Sequence, residues 1–168
     1  YWDSWMLRYW LNNNDLQSVK IFYKKVGMPF FYYMHRLLNP TRKSAWIYRV
    51  ACFISLWSTS ALVFLICHNF SPLDEWQSFF IAAMMLMFPI QDMALDFFVT
   101  VQYVLTQTLF YCAILLCFIL NDLNWSLDYL LLRSLMIILF LMSFNMNSLL
   151  VFYGAFVIYF FSYHYLFL

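Results

Sequence analysis

The stretch Ser126–Leu168, SLDYLLLRSLMIILFLMSFNMNSLLVFYGAFVIYFFSYHYLFL, limits the possible folds of this chain more than any other, because Asp128 and Arg133 are its only formal charges. Water is a poor solvent for so long an apolar run. About 20 apolar residues cross a bilayer core as one helix, so the stretch has room for two spans, divided where Ser143, Asn145, Asn147 and Ser148 gather. An open sheet edge or bare loop leaves backbone polar groups unsatisfied in hydrocarbon. Nothing in the stretch alternates like the strands of a closed barrel, so helix remains. The expectation is a helical hairpin against which the rest of the chain packs.

The whole composition agrees with that solvent. Hydrophobic residues make up 65% of the chain and charged residues 10%, against the roughly 25% charged of a soluble domain. The expected fold class is all-α: a polytopic membrane protein with about five transmembrane helices behind an amphipathic N-terminal segment. A net charge of +1 provides no general attraction to nucleic acid. The distribution of charge is more informative, since eight of the nine Lys and Arg residues, Arg8, Lys20, Lys24, Lys25, Arg36, Arg42, Lys43 and Arg49, fall in the first 49 positions. By the positive-inside rule the N-terminal region stays on the side of synthesis. No basic, apolar and small-residue pattern opens the sequence, so no secretory leader is expected.

Residues 1–44 read as an interfacial segment and 45–168 as the transmembrane domain. Tyr1, Trp2, Trp5, Tyr9 and Trp10 recur at helical spacing around Asp3 and Arg8, as in a helix lying along a membrane surface. A second short helix is expected from Asp15, an N-cap residue type, to about Val26, stopped by Gly27 and Pro29. Phospholipid, cardiolipin included, is expected at this basic side. The spans are placed at about 45–67, 76–90 and 97–120, followed by the two of the terminal hairpin. His68, Asn69 and Pro72 mark the exit of the first, and Pro89 the end of the short second. In the third, Gln102 and Thr106 stand four apart on one helical face, and polar residues along a span look toward protein.

Several residues are candidates for chemistry, each with a plainer alternative. Arg133 falls within its span, where an arginine costs about 2.5 to 3.5 kcal/mol. Asp128 lies about 140° around the helix from it, at 100° per residue. A partner on another helix, another subunit or a lipid phosphate is therefore expected, in a proton path or in a structural ion pair. Asp92 and Asp96, four apart at a boundary, are able to share a proton; solvated helix ends are the plainer reading. His35, His68 and His164 fall at an interface, a loop and near the C-terminus, and do not form the facing pair that holds a haem. Cys52, Cys67, Cys112 and Cys117 lack Cys-x-x-Cys spacing and read as buried free thiols. No phosphate loop, His-Glu-x-x-His or nucleophile elbow is present. No catalytic residue, metal or bound cofactor is expected on this chain alone.

The segment LLVFYGAFVIYFF, Leu149–Phe161, resembles the third helix of chain six of the proton-pumping NADH:ubiquinone oxidoreductase, respiratory complex I. Val151, Tyr153, Gly154 and Ala155 follow that family's Val-Tyr-x-Gly-Ala pattern, with Phe152 intervening where the family places Tyr directly after Val. The resemblance implies a helix able to carry a π-bulge at Tyr153, Gly154 and Ala155 that gates a water path. It also implies neighbouring membrane subunits of a large complex as partners and a mitochondrial inner-membrane location with the N-terminus on the matrix side. Heavy use of Phe, Tyr, Leu, Ile, Met and Asn is similar to the mitochondrially encoded proteins of ciliate-type protists. Ala155, Phe156, Val157, Ile158, Tyr165 and Leu166 also resemble the closing helix of ATP synthase subunit a, with Gly154 where that family has glutamine; the essential arginine of that family has no match in the setting of Arg133. An anchor subunit of complex II or IV is a further alternative, with His35-Arg36 faintly similar to a quinone-site motif.

Overall fold

A computed structural model describes residues 2–38, 45–87, 97–121, 127–144 and 153–158. The described residues are helical and contain no strand, as seven helices, α1 (Trp2–Asn12), α2 (Leu16–Lys25), α3 (Pro29–Leu38), α4 (Ala45–Phe70), α5 (Glu75–Met87), α6 (Phe97–Asn121) and α7 (Leu127–Ser143), and a further helical stretch at 153–158. α6 packs against both α4 and α7, α5 lies against α4, and the short helices α1–α3 fold on one another, with α1 also reaching α6.

The N-terminal helices are cut by their own end chemistry. α1 closes with Asn14 in the left-handed region, at φ 57°, a conformation that asparagine tolerates better than most residues. Asn14 N–H donates to Leu11 O at 3.2 Å and Asp15 N–H to Trp10 O at 2.8 Å, the two bonds of a Schellman motif. Asp15 then caps α2: its carboxylate accepts from Ser18 N–H at 3.0 Å and from Ser18 Oγ at 2.6 Å. These bonds from Ser18 hold the Asp15 carboxyl below its ordinary range. α2 ends in a second Schellman motif. Gly27 sits at φ 78°, Gly27 N–H donates to Lys24 O at 3.3 Å, and Met28 N–H donates to Tyr23 O at 2.9 Å.

The expected stop at Gly27 and Pro29 is also a start, and this corrects the sequence reading. Proline has no N–H to lose in a first turn and a φ already suited to it, so Pro29 opens α3 directly after the turn. α3 folds back on α2 and buries Phe31, Met34 and His35. The basic segment is therefore a three-helix platform whose inner residues Leu7, Leu11, Val19, Tyr23, Phe31 and Met34 share one core with Tyr48, Cys52, Phe98 and Val101 of α4 and α6.

α4 and α6 are each long and apolar enough to cross a membrane, over Trp46–Phe70 and Thr100–Asn121. Their 26 and 25 residues span roughly 38 Å at 1.5 Å per residue, more than the ~30 Å hydrocarbon core that a crossing helix must bridge. Only 22% of the apolar window of α4 and 33% of that of α6 is buried within the chain, whereas the core helix of a soluble protein is covered on most sides. Midway along them some contacts are small and polar: Thr59 Oγ1 and Thr108 Oγ1 are 2.9 Å apart, and Thr108 Oγ1 also lies within donating distance of Ser55 O, at 3.0 Å. Ser60 Oγ donates to Ala82 O of α5 at 2.7 Å.

At the far end of α4 the helix continues through His68, which stacks on Phe64 with ring centroids 5.6 Å apart. The loop expected at His68 begins later, at Ser71. α5 opens with a capping box, Gln77 N–H donating to Asp74 Oδ1 at 2.7 Å and Asp74 N–H to Gln77 Oε1 at 3.2 Å. α5, with 13 residues, is shorter than a full crossing, and α7, with 17, is at the short end of the crossing range of about 17 to 25. α7 ends at Ser143, the first of the polar residues expected to divide the hairpin. Phe110, Phe140 and Tyr153 join α6, α7 and the 153–158 stretch, with Phe110 and Tyr153 ring centroids 4.7 Å apart.

Candidate functional site

Four elements meet at His35. It lies on the inner face of α3, where Tyr23 (α2) and Tyr48 (first turns of α4) meet it and Gln102 (first turns of α6) meets Tyr23. Tyr23 Oη is 2.8 Å from His35 Nε2 and donates to Gln102 Oε1 at 2.8 Å; Tyr48 Oη is 3.1 Å from His35 Nδ1. His35 and Tyr48 are fully buried, Tyr23 is 2% exposed and Gln102 8%. The tyrosine rings also stack on the imidazole, with centroids 5.4 Å and 5.7 Å away, and Phe98 covers Tyr48 at 4.6 Å.

The protons in this chain are assigned by counting donors. Tyr23 has one hydroxyl hydrogen and gives it to Gln102, so it accepts from His35, and Nε2 carries the imidazole proton. Burial pushes His35 down from its ordinary 6.5 to about 3, so the ring is neutral and Nδ1 is bare. Tyr48 O–H donates there. Its alternative acceptor, His35 O, is farther away at 3.5 Å. The sequence Tyr48 O–H, His35, Tyr23 O–H, Gln102 is therefore a one-way hydrogen-bond chain in which each buried polar atom meets its partner, the condition for burying such groups without a penalty. Separately, on α6, Thr106 Oγ1 donates to the backbone carbonyl of Gln102 at 2.6 Å.

Chemically the arrangement is a clasp. Both ring nitrogens are committed to tyrosines, and among the described residues no group of three metal-ligating side chains comes together. Sequence reading placed Gln102 and Thr106 on a protein-facing side of their helix, and both are buried there. It missed His35, set at an interface rather than in a core, because nothing in YYMHR says that α3 folds back. The Gly27-Met28-Pro29 turn carried that signal.

The other candidates lie apart. Arg133 is exposed on α7; its guanidinium donates to Tyr129 Oη at 2.5 Å and lies 5.7 Å from the Tyr129 ring centroid. Within the chain its contact is thus one turn back on its own helix rather than on another helix. An arginine side chain leans toward the N-terminus of its helix, and this contact carries the charge toward the α7 start, where Asp128 is exposed. Tyr153 is buried and bonds through its hydroxyl to Ser143 Oγ. Gly154 and Ala155 are exposed within α-helical geometry, and a Cβ added at Gly154 would meet nothing within 4 Å. Asp92, Asp96 and His164 lie outside the described residues, as do the flanks over which a π-bulge would form. Cys52, Cys67, Cys112 and Cys117 are free thiols, but only Cys52 is buried as expected and the other three are half-buried. Compared with protein-family models, characterised proteins and solved structures, the chain matches none.

Proposed function

We propose that the chain is an integral subunit of a larger membrane assembly, held by apolar contacts with lipid and neighbouring chains. The observation that carries this reading is the inversion of polarity. Trp46, Phe53, Trp57, Phe80, Met84 and Leu141 are each more than half exposed on the outer sides of α4, α5 and α7, while Ser55, Thr59, Ser78 and Thr106 are buried between helices. A bilayer and partner helices suit that surface; water does not. In this reading the chain crosses five times, with α5, α7 and the last helix completing the spans that α4 and α6 begin, and the basic platform stays on the side of synthesis.

The assembly proposed is a respiratory-chain complex of the mitochondrial inner membrane. The resemblance at Tyr153, Gly154 and Ala155 favours the membrane arm of NADH:ubiquinone oxidoreductase over an ATP synthase subunit a-like channel or an anchor of complex II or IV. Within it a structural role is favoured over a proton path carried by this chain. Thr59, Ser60, Thr106 and Thr108 hydrogen-bond to one another or to helix carbonyls, Gln102 is held by Tyr23, and Arg133 faces outward. Isolation of the native assembly in mild detergent, followed by mass-spectrometric identification of the co-migrating chains, tests both points. Co-migration with the membrane-arm subunits and NADH:quinone activity is the expected result. Recovery of the chain alone, or release of it from membranes by alkaline carbonate, refutes the reading.

A further inference from the structure

The outer faces of α1–α3 have a composition unlike their inner faces. Inward, α1 presents Leu7 and Leu11, α2 Val19 and Tyr23, and α3 Phe31, Met34 and His35, all buried. Outward stand Arg8, Lys20, Lys24, Lys25 and Arg36, all exposed. Interleaved with them are Trp5, Tyr9 and Tyr33, exposed by 71%, 66% and 59%, and Leu37, exposed by 78%. The α2 and α3 faces join where the Lys20 ammonium lies 5.8 Å from the Tyr32 ring centroid. Against these five cations, residues 2–38 contain two carboxylates, Asp3 and Asp15, and Asp15 is already engaged with Ser18.

The clasp determines where this surface sits. Tyr48 and Gln102 are the fourth and sixth residues of the two helices long enough to cross, so they mark one end of both helices, close to the membrane boundary. A platform locked to both residues is held at headgroup depth. There, Trp and Tyr rings are suited to the boundary between hydrocarbon and water, and Lys and Arg to phosphate. The inner faces are already filled, so the outer faces are free to meet lipid.

We propose that the outer face of α1–α3 is a binding surface for anionic phospholipid, with Lys20, Lys24, Lys25 and Arg36 holding headgroup phosphates and Trp5, Tyr9 and Tyr33 seated among the glycerol and upper acyl groups. It rests on the membrane reading of the preceding section and adds headgroup selectivity to it. Basic residues near an anionic leaflet act nearly additively, so the surface selects charge rather than one lipid species.

The test uses the full chain in mild detergent, offered phosphatidylglycerol or phosphatidylcholine and read by native mass spectrometry. Retention of phosphatidylglycerol over phosphatidylcholine by about tenfold or more, shrinking as salt rises, is expected. The combined variant Lys20→Gln, Lys24→Gln, Lys25→Gln, Arg36→Gln loses that preference, while the variant with the three lysines changed to arginine keeps it. These side chains are exposed, so the changes leave the fold intact. Equal retention of the two lipids, an undiminished preference in the glutamine variant, or cross-links from Lys24 and Lys25 to a partner chain in the native assembly overturns the proposal. A chain that resists alkaline carbonate but shows no headgroup preference refutes this inference alone; one that carbonate releases refutes the membrane reading itself.

Discussion

Removing the Tyr23 hydroxyl is expected to damage the chain more than removing either of its neighbours in the clasp. Tyr23→Phe takes away the acceptor of His35 Nε2–H and the donor to Gln102 Oε1, both at 2.8 Å. Two buried polar atoms are orphaned, at about 1 to 3 kcal/mol each, or about 2 to 6 kcal/mol together. Exchanging the imidazole tautomer does not help, because Nε2 then becomes an unmet acceptor. Tyr48→Phe orphans Nδ1 alone and costs about 1 to 3 kcal/mol. Gln102→Leu is milder still in hydrogen bonding, since the chain can reverse: Tyr23 O–H turns to Nε2, Nδ1–H donates to Tyr48 Oη, and Tyr48 O–H turns to His35 O, now 3.5 Å away. The double change Tyr23→Phe with Gln102→Leu removes one of the two orphans, so it recovers about 1 to 3 kcal/mol of the Tyr23→Phe loss. SDS titration in mixed micelles measures the four stabilities, and hydrogen exchange across α2 and α3 localises the opening. The reasoning fails if Tyr23→Phe lies within about 0.5 kcal/mol of wild type, if Tyr48→Phe proves the worst, or if the double variant is no more stable than Tyr23→Phe.

Three other outcomes follow from the same geometry. His35 is pushed from 6.5 to about 3, so the unfolded chain binds the additional proton. The clasp's stability is complete above about pH 6.5 and declines by about 1.4 kcal/mol per pH unit as pH falls toward 3; unfolding at pH 6 and pH 5 should show this slope in wild type and lose it in His35→Gln. Arg133→Leu, which replaces an exposed cation whose contact is with its own helix, is expected to leave proton transport and assembly of the native complex unchanged; a loss of coupled proton movement with normal assembly would place Arg133 in a proton path. Ser78 Oγ is buried without a hydrogen-bond partner among the described residues, so Ser78→Ala should be neutral or stabilising, by up to about 1 to 2 kcal/mol in the same micelle titration.

Much of the fold follows from local chemistry that can be read along the string. Runs of Leu, Phe, Ile and Met with few charges require a helix wherever water is excluded, and α4, α5, α6 and α7 occupy the expected segments. Asp15 and Gly27 delimit α2 as their residue types suggest, because capping and left-handed turns depend on a few adjacent backbone groups. Gln102 and Thr106 could be placed on a buried face because four-residue spacing puts them on one side of any helix.

The clasp was not legible in this way. Its four members come from four helices, and Tyr23 and Gln102 are far apart in sequence; no local period relates them. Arg133 shows the same limit in reverse: its cost in hydrocarbon is a property of the residue, but whether it meets another helix or leans along its own depends on how α7 is turned against α6. Residue types dictate which groups must be satisfied or kept from water. The identity of the partner is settled when helices dock, because a hydrogen bond forms only between groups that packing brings within about 3 Å.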